Sequence, residues 1–509
     1  MSVVTLRSEA TKGLLWFLVL ATGALAPPMA AQTPEEPIVV THHQITTDGH
    51  TLVYTARAGR IPIRDNEAGD IHGQMFFVSY TLDRSDGALP RPITFAWNGG
   101  PGSNAALVHL VGFGPKRIAP AAGARADDES IRWVVQRNPG TWLGETDLVF
   151  VDPIGTGYSR VTKPEYMSEF YQTRGDAESV AEFIRVYRRR YDADDAPLFL
   201  AGESYGVTRA ANVADVLERR GTAVRGIVLL GLEPPLGVIP ANLRSALSVP
   251  NYTIAAFTHR KLAPELQRDL QTTLRQVEVW SSTTYASALA RAGALTEAER
   301  DTIVRTLSRF TALSASVIDR QTLVVPYLQV GTSLLRAEGQ FVGLYDVRKI
   351  APLDTAPGPY DPRKDPSLMH LLDPVAVLRY LRLELGVQND LNYQGPWGGA
   401  YPPPSGFRGD WMSVRWNWAA DSALANATPP LESAMAADPA LRVLVACGIY
   451  DLICDYYVND WKIAQLPAPI RQRVTARRYP GGHALYTDAA ARLELKRDVA
   501  QFIRDALAR

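Results

Sequence analysis

Before about residue 240 the chain alternates two patterns. Unbroken apolar runs, "RPITFAWNGG", "TDLVFVDPIGTG", "PLFLAG" and "GIVLLG", end at glycines or at Asp152-Pro153. Runs without a polar face predict strands buried on both sides. Between them the apolar spacing is helical. Val180, Phe183, Ile184 and Tyr187 fall at i, i+3, i+4 and i+7, and a second helix is expected from about Val207 to Arg219. Strand, helix, strand, helix predicts a parallel sheet covered on both faces. Upstream, "PIVVTHHQITTDGHTLVYTARAG" and "GQMFFVSYTLD" read as strands with Asp-Gly turns. The run Arg188-Arg189-Arg190 closes the first helix and reads as a solvated terminus favoured by the macrodipole.

From about Pro240 to Pro430 the pattern changes. Helical segments such as "APELQRDLQTTLRQVEVW" and "LTEAERDTIVRTLSRF" dominate, followed by a loop rich in proline, glycine and aromatics, "NYQGPWGGAYPPPSGFRGDWMSVRWNW". The aromatics from Tyr393 to Trp418 read equally as cleft lining or as a local core. Strand character returns at "LRVLVACGIYD" and "RVTARRYPGGH". The last helix sets Leu495, Val499, Phe502, Ile503 and Ala506 on one face. The expectation is an α/β core in two parts, 32–239 and 431–509, interrupted by a mostly helical cap insertion over 240–430.

Composition narrows the class. The 509 residues are 46% hydrophobic, enough for a large core or two domains. Lys+Arg and Asp+Glu are both 53, so no charge excess points to nucleic acid or an anionic membrane. Two cysteines, Cys447 and Cys454, exclude a disulfide-framework protein. At the N-terminus, Arg7 and Lys12 precede the apolar run "GLLWFLVLATGALA" and then small residues at Ala30 and Ala31. This reads as a signal peptide over 1–31. The alternative, an uncleaved anchor, has a run shorter than the ~20 residues a spanning helix needs. The mature chain is expected to be exported, secreted or periplasmic, and free of the membrane. Sparse cysteine and Ala/Arg-rich usage fit a bacterial periplasm.

One stretch carries chemistry. "LFLAGESYGVTRAANVADVLERR" places Gly-x-Ser-x-Gly between an apolar strand and a helical pattern. That context makes Ser204 a nucleophile on a sharp strand-to-helix turn; the bland alternative is a structural serine. The corresponding fold is the α/β-hydrolase fold, whose triad runs Ser, Asp, His along the chain. Of eight histidines, five precede Ser204, and His259 and His370 lie in the insertion. Only His483, in "YPGGHALY", follows the last strand and is expected to be the base. Its acid should follow the preceding strand, where "VLVACGIYDLICD" offers Asp451, nearer the strand end, with Asp455 as fallback. The acid holds the imidazole tautomer and stabilises the imidazolium. Acyl transfer also needs donors for the oxyanion. The Tyr205 N–H supplies one, and "FAWNGGPGSNA" offers the Gly100 N–H as the second. No metal or organic cofactor is called for: no HExxH, CxxC or phosphate-loop pattern occurs.

Taken together, "WNGGPG", "DPIGTGYS", "GESYG", "YDLICD" and "GGHALY" resemble the five signature blocks of the serine carboxypeptidases (peptidase family S10), in order and over most of the mature chain. The resemblance also implies a helical cap. It assigns Asn98, the Gly99 N–H and Glu203 to binding a peptide's C-terminal carboxylate. Two carboxylates sharing a hydrogen bond need one proton between them, which implies binding that weakens as pH rises. The alternative for Glu203 is a brace for the elbow. The sequence departs from the family pattern at Gly112, where a second acidic partner is usual, and at Ser103, where a cysteine is usual. Cys454 sits where the family often has a cysteine near the site; its pairing with Cys447 is left open beside the simpler readings of a buried hydrophobe and a site-lining thiol. Thr208 and Arg209 replace small residues without touching the chemistry.

The sequence-level expectation is a serine-type carboxypeptidase that forms an acyl-enzyme on Ser204 and acts on peptides with a free C-terminus. The alternatives are an esterase or acyltransferase with the same triad, and a non-catalytic cell-envelope binding protein on the same fold.

Overall fold

The computed structural model describes residues 37–508 apart from residue 86 and segments 122–131, 354–363, 396–415 and 423–427. The expected signal peptide and most of the aromatic loop lie outside the described residues. Among those residues no helix is long and apolar enough to cross a membrane.

Ten strands form one sheet. Nine define its order: β1 (Val39–Thr47), β2 (His50–Arg64), β3 (Ile71–Leu82), β4 (Ile93–Trp97), β5 (Asp147–Val151), β6 (Leu198–Glu203), β7 (Val224–Leu230), β8 (Arg442–Gly448) and β9 (Val474–Tyr479). The order is β1-β2-β3-β5-β4-β6-β7-β8-β9. β1 to β3 are antiparallel and β3 joins β5 antiparallel. From β5 onward every neighbour is parallel. The mostly parallel sheet with the elbow at the end of β6 is the α/β-hydrolase fold.

The unbroken apolar runs are buried on both faces. In β6, Leu198 and Leu200 enter one core cluster and Phe199 and Ala201 the other. Helices α1 (Thr173–Arg190) and α2 (Tyr205–Arg219) cover the Leu200 face through Val180, Phe183, Val207 and Ala210. The closing helix, Ala489–Leu507, covers the opposite face with Leu495, Val499, Phe502, Ile503 and Ala506, the stripe its spacing predicts. At the end of α1 the arginine run divides. Arg189 is exposed, but Arg188 folds back, buried, and donates to the carbonyls of Ala193 and Ala196. It closes the turn into β6 rather than facing water.

Residues 240–430 pack in two parts. Ala246 to Val347 build a separate helical core. Leu372 to Tyr393, including helix Pro374–Leu383, join the sheet's own core through Val377, Tyr380 and Leu381. Of the aromatic cluster, Tyr393 is buried beside Phe76 and Tyr158. Trp416 and Trp418 pack against Tyr205. Helix spacing alone does not reveal which core a helix joins, because both cores are apolar.

Candidate active site

β6 ends at Glu203 and α2 begins at Tyr205, so a single residue makes the turn. Ser204 takes φ 58° and ψ −131°, a region costly for a residue with a Cβ. The turn is held by the Ser204 N–H on the Leu230 carbonyl (2.8 Å) and by the Val207 N–H on the Ser204 carbonyl (2.8 Å). A side chain on Gly202 would collide with the Gly206 carbonyl, so glycine is required where strand and helix nearly touch. The helix starts two residues earlier than its hydrophobic spacing predicts, because Tyr205 and Gly206 already have helical geometry.

His483 lies after β9 and Asp451 after β8. Parallel neighbours deliver both loops to the same sheet edge as Ser204. The His483 Nδ1–H donates to Asp451 Oδ2 over 2.7 Å. Asp451 is fully buried; its Oδ1 accepts the Ile453 N–H, and its carbonyl accepts the Asn251 side chain. Asp455, the fallback acid, instead accepts the Ser248 hydroxyl at 2.6 Å. His483 Nε2 is buried and has no hydrogen-bond partner. A buried polar atom of this kind needs a partner, and in a triad that partner is the nucleophile or the substrate. Burial pushes the His483 pKa down, but Asp451, with Glu203 adding, outweighs it, and the net shift is upward from 6.5.

Glu203 stands on the other side of the imidazole. Its Oε1 is 3.8 Å from His483 Nε2, and its Oε2 accepts the Asn98 amide at 2.8 Å. The Gly99 N–H also donates to it. Asn98 Oδ1 accepts the Val108 N–H at 3.0 Å. Asn98, Gly99 and Glu203 therefore form one hydrogen-bonded unit beside the histidine. Burial raises the Glu203 pKa above the usual carboxylate value, against the lowering effects of His483 and Asn98. A buried carboxylate that favours its proton can pair with a second carboxylate. Gly100 follows, with φ 105°, and a Cβ on Gly99 would press on the Tyr205 nitrogen. The two candidate oxyanion donors are thus carried by segments that abut.

Three features escape sequence reading, and a fourth decides a cysteine pairing that the sequence leaves open. Arg209 is almost fully buried; it donates to Asp176 (2.8 Å) and to the Asn98 carbonyl (2.7 Å). It ties α2 to the loop after β4. The available signal was a charge among Val207, Ala210, Ala211 and Val213, on a helix otherwise apolar there. Tyr345, from the helical insertion, accepts the His483 N–H on its carbonyl (2.6 Å) and sets its ring edge-on to the imidazole at 5.0 Å. Tyr486 reaches the Asn98 amide through its hydroxyl (3.4 Å). Finally, Cys447 and Cys454 form a disulfide. Cys454 is fully buried, so it is not a thiol lining the site.

A family model described as serine carboxypeptidase matches residues 63–232. That span contains Asn98, Gly99, Gly100, Glu203, Ser204 and Tyr205. Among curated proteins, the pheromone-processing carboxypeptidase KEX1 of Saccharomyces cerevisiae is 31% identical over 158 residues, which is 29% of this chain and 20% of that protein. The KEX1 of Komagataella phaffii is 29% identical over 197 residues, covering 38% of this chain and 28% of the relative. The matched segments thus span well under a third of these relatives. Among solved structures, the prohormone-processing carboxypeptidase Kex1(Δ)p of S. cerevisiae superposes with a TM-score of 0.52 at 17% identity, covering 89% of this chain and 91% of that one. At this identity the likeness shows a shared fold.

Proposed function

We propose that this chain, which a serine carboxypeptidase family model matches over residues 63–232, is a serine-type carboxypeptidase that releases C-terminal residues from peptides. The observation that carries the reading is the buried pair of His483 and Asp451, with the imidazole Nε2 unpartnered and a protonatable Glu203 within 3.8 Å. Ser204 attacks the last peptide carbonyl, and His483 takes its proton. The imidazolium, stabilised by Asp451, protonates the leaving amine. The N–H groups of Gly100 and Tyr205 hold the oxyanion. Water, activated by the neutral imidazole, then hydrolyses the acyl-enzyme.

Asn98, Gly99 and Glu203 bind the substrate's terminal carboxylate. Glu203 must carry its proton to do so, because two ionised carboxylates at hydrogen-bond distance repel. The helical part of the insertion serves as the cap over the cleft. Residues 1–31 serve as an export signal, so the protein isolated from its host should begin after Ala30 or Ala31 by intact mass.

A peptide-library digest read by mass spectrometry tests the activity. Loss of single residues from the free C-terminus is expected, together with fluorophosphonate labelling that vanishes in Ser204→Ala. Equal cleavage of amidated peptides or simple esters would favour the esterase reading. Absence of labelling at every pH would favour a binding protein.

A further inference from the structure

An aromatic ring, Tyr486, stands beside Asn98. Tyr486 has no exposed surface. Its ring stands edge-on to Phe113, with centroids 5.3 Å apart. Its other neighbour is Gly112: a Cβ there would lie 3.4 to 3.6 Å from three ring atoms. A methyl group is tolerable at that distance, but a longer side chain on the same vector would run into the ring. Gly112 has an ordinary backbone conformation, so what limits a larger side chain there is the Tyr486 ring rather than torsion. The ring brings its hydroxyl to Asn98 Nδ2, whose other hydrogen is held by Glu203. With Oδ1 on the Val108 N–H, the Asn98 amide is held in one orientation. The Arg492 guanidinium holds the Tyr486 carbonyl at 2.9 Å, fixing the turn Leu485–Thr487 that follows His483 directly.

We propose that Tyr486 is a positioning residue for carboxylate recognition: its hydroxyl fixes the Asn98 amide toward Glu203, and its ring fills the space over Gly112 that a second acidic side chain would need. The inference rests on the carboxypeptidase reading above. It makes Glu203 the one acid of the unit. The ionisable groups facing Glu203 are His483 and Asp451 from the two catalytic loops, Tyr345 from the insertion and Tyr486 itself. Both phenols are pushed far above their ordinary values, chiefly by burial, and stay neutral wherever the enzyme works. Recognition therefore needs one proton, on Glu203, and is lost as that proton leaves.

The test uses the full chain and a blocked dipeptide, offered as the free acid and as its C-terminal amide. Tyr486→Phe keeps the ring and removes the hydroxyl. Loss of one such hydrogen bond should raise KM for the free acid about 5- to 10-fold, leaving kcat, the amide's KM and the fluorophosphonate labelling rate within about twofold. Asn98 then holds Glu203 less firmly, so the pH at which the free-acid KM climbs should move upward. An unchanged free-acid KM and midpoint would overturn the proposal. So would equal losses in kcat, labelling and both substrates, the sign of a purely structural residue. If the variant does not fold, the wild type decides. There log KM for the free acid should rise with pH at a slope of about one, and a slope of two would refute a single acid. A wild type that does not distinguish acid from amide removes the carboxypeptidase reading itself; one that does, with an indifferent Tyr486→Phe, removes only the role of Tyr486.

Discussion

Asp451 touches His483 through a single 2.7 Å hydrogen bond and is otherwise wrapped by the Ile453 N–H and buried surface. Asp451→Asn would preserve the shape and present the wrong partner to Nδ1. We expect kcat to fall by about 10⁴, as it does for the equivalent change in the standard serine-protease triad, with the fold intact by circular dichroism. Two pH effects oppose each other at this scale. A base is active when neutral, and the His483 pKa is raised. For an ester without a free carboxylate, kcat should therefore climb with pH through an ionisation above 6.5 and then level off. In the proposed role Glu203 binds only when protonated, so KM for free-acid peptides should worsen as pH rises through its raised value. A bell-shaped kcat/KM for free acids, beside a simple rise for esters, is the expected pair of profiles. The proposed triad of Ser204, Asp451 and His483 is nameable from the sequence because chain order and loop position restrict the candidates so strongly, and the structure adds the His483–Asp451 hydrogen bond. Tyr486 is not nameable this way. Its part depends on which ring settles on Gly112, and that contact joins residues far apart in sequence.

At the level of elements, the loop after β4 and helix α2 act as one piece because Arg209 bridges them. Arg209 and Asp176 are 1% and 4% exposed. Arg209→Met would remove the cationic partner of the buried Asp176 carboxylate and should destabilise the protein by about 3–5 kcal/mol in urea titration. Replacing both partners by apolar residues of similar volume should recover much of that loss. The disulfide makes another such unit, because the loop it closes, Cys447 to Cys454, contains Asp451. Closing a loop of that length contributes on the order of 2–3 kcal/mol by chain entropy. The strands of the parallel half were readable because continuous apolar runs have few alternatives. The two-part packing of residues 240–430 was not, because an apolar helical stripe does not say which core will receive it.

Across the whole molecule, buried acids set how stability depends on pH. Burial pushes Asp152 and Asp455 up to about 7 each from the ordinary 3.8. The native state then holds protons that the unfolded chain releases, so stability is greatest below about pH 4 on this account and declines as pH rises toward 7. Asp455→Asn removes one such group while keeping an acceptor for Ser248. It should melt higher than wild type at pH 8, by a free energy on the order of 2–4 kcal/mol, and the two should converge near pH 4. Equal melting temperatures at both pH values would count against the assignment.

The segment Leu344–Val347 has a consequence for engineering. Its backbone receives the His483 N–H at Tyr345 and the Leu452 N–H at Leu344, and the Val347 N–H binds the Tyr450 carbonyl. Three main-chain bonds thus lash the histidine loop and the acid loop together with a strand of chain borrowed from the insertion. Transplanting this insertion between relatives, or trimming it to open the cleft, would therefore not simply exchange one specificity for another. A graft that omits these four residues would leave the triad unmoored, whereas one that retains them could vary the helices above with the chemistry intact.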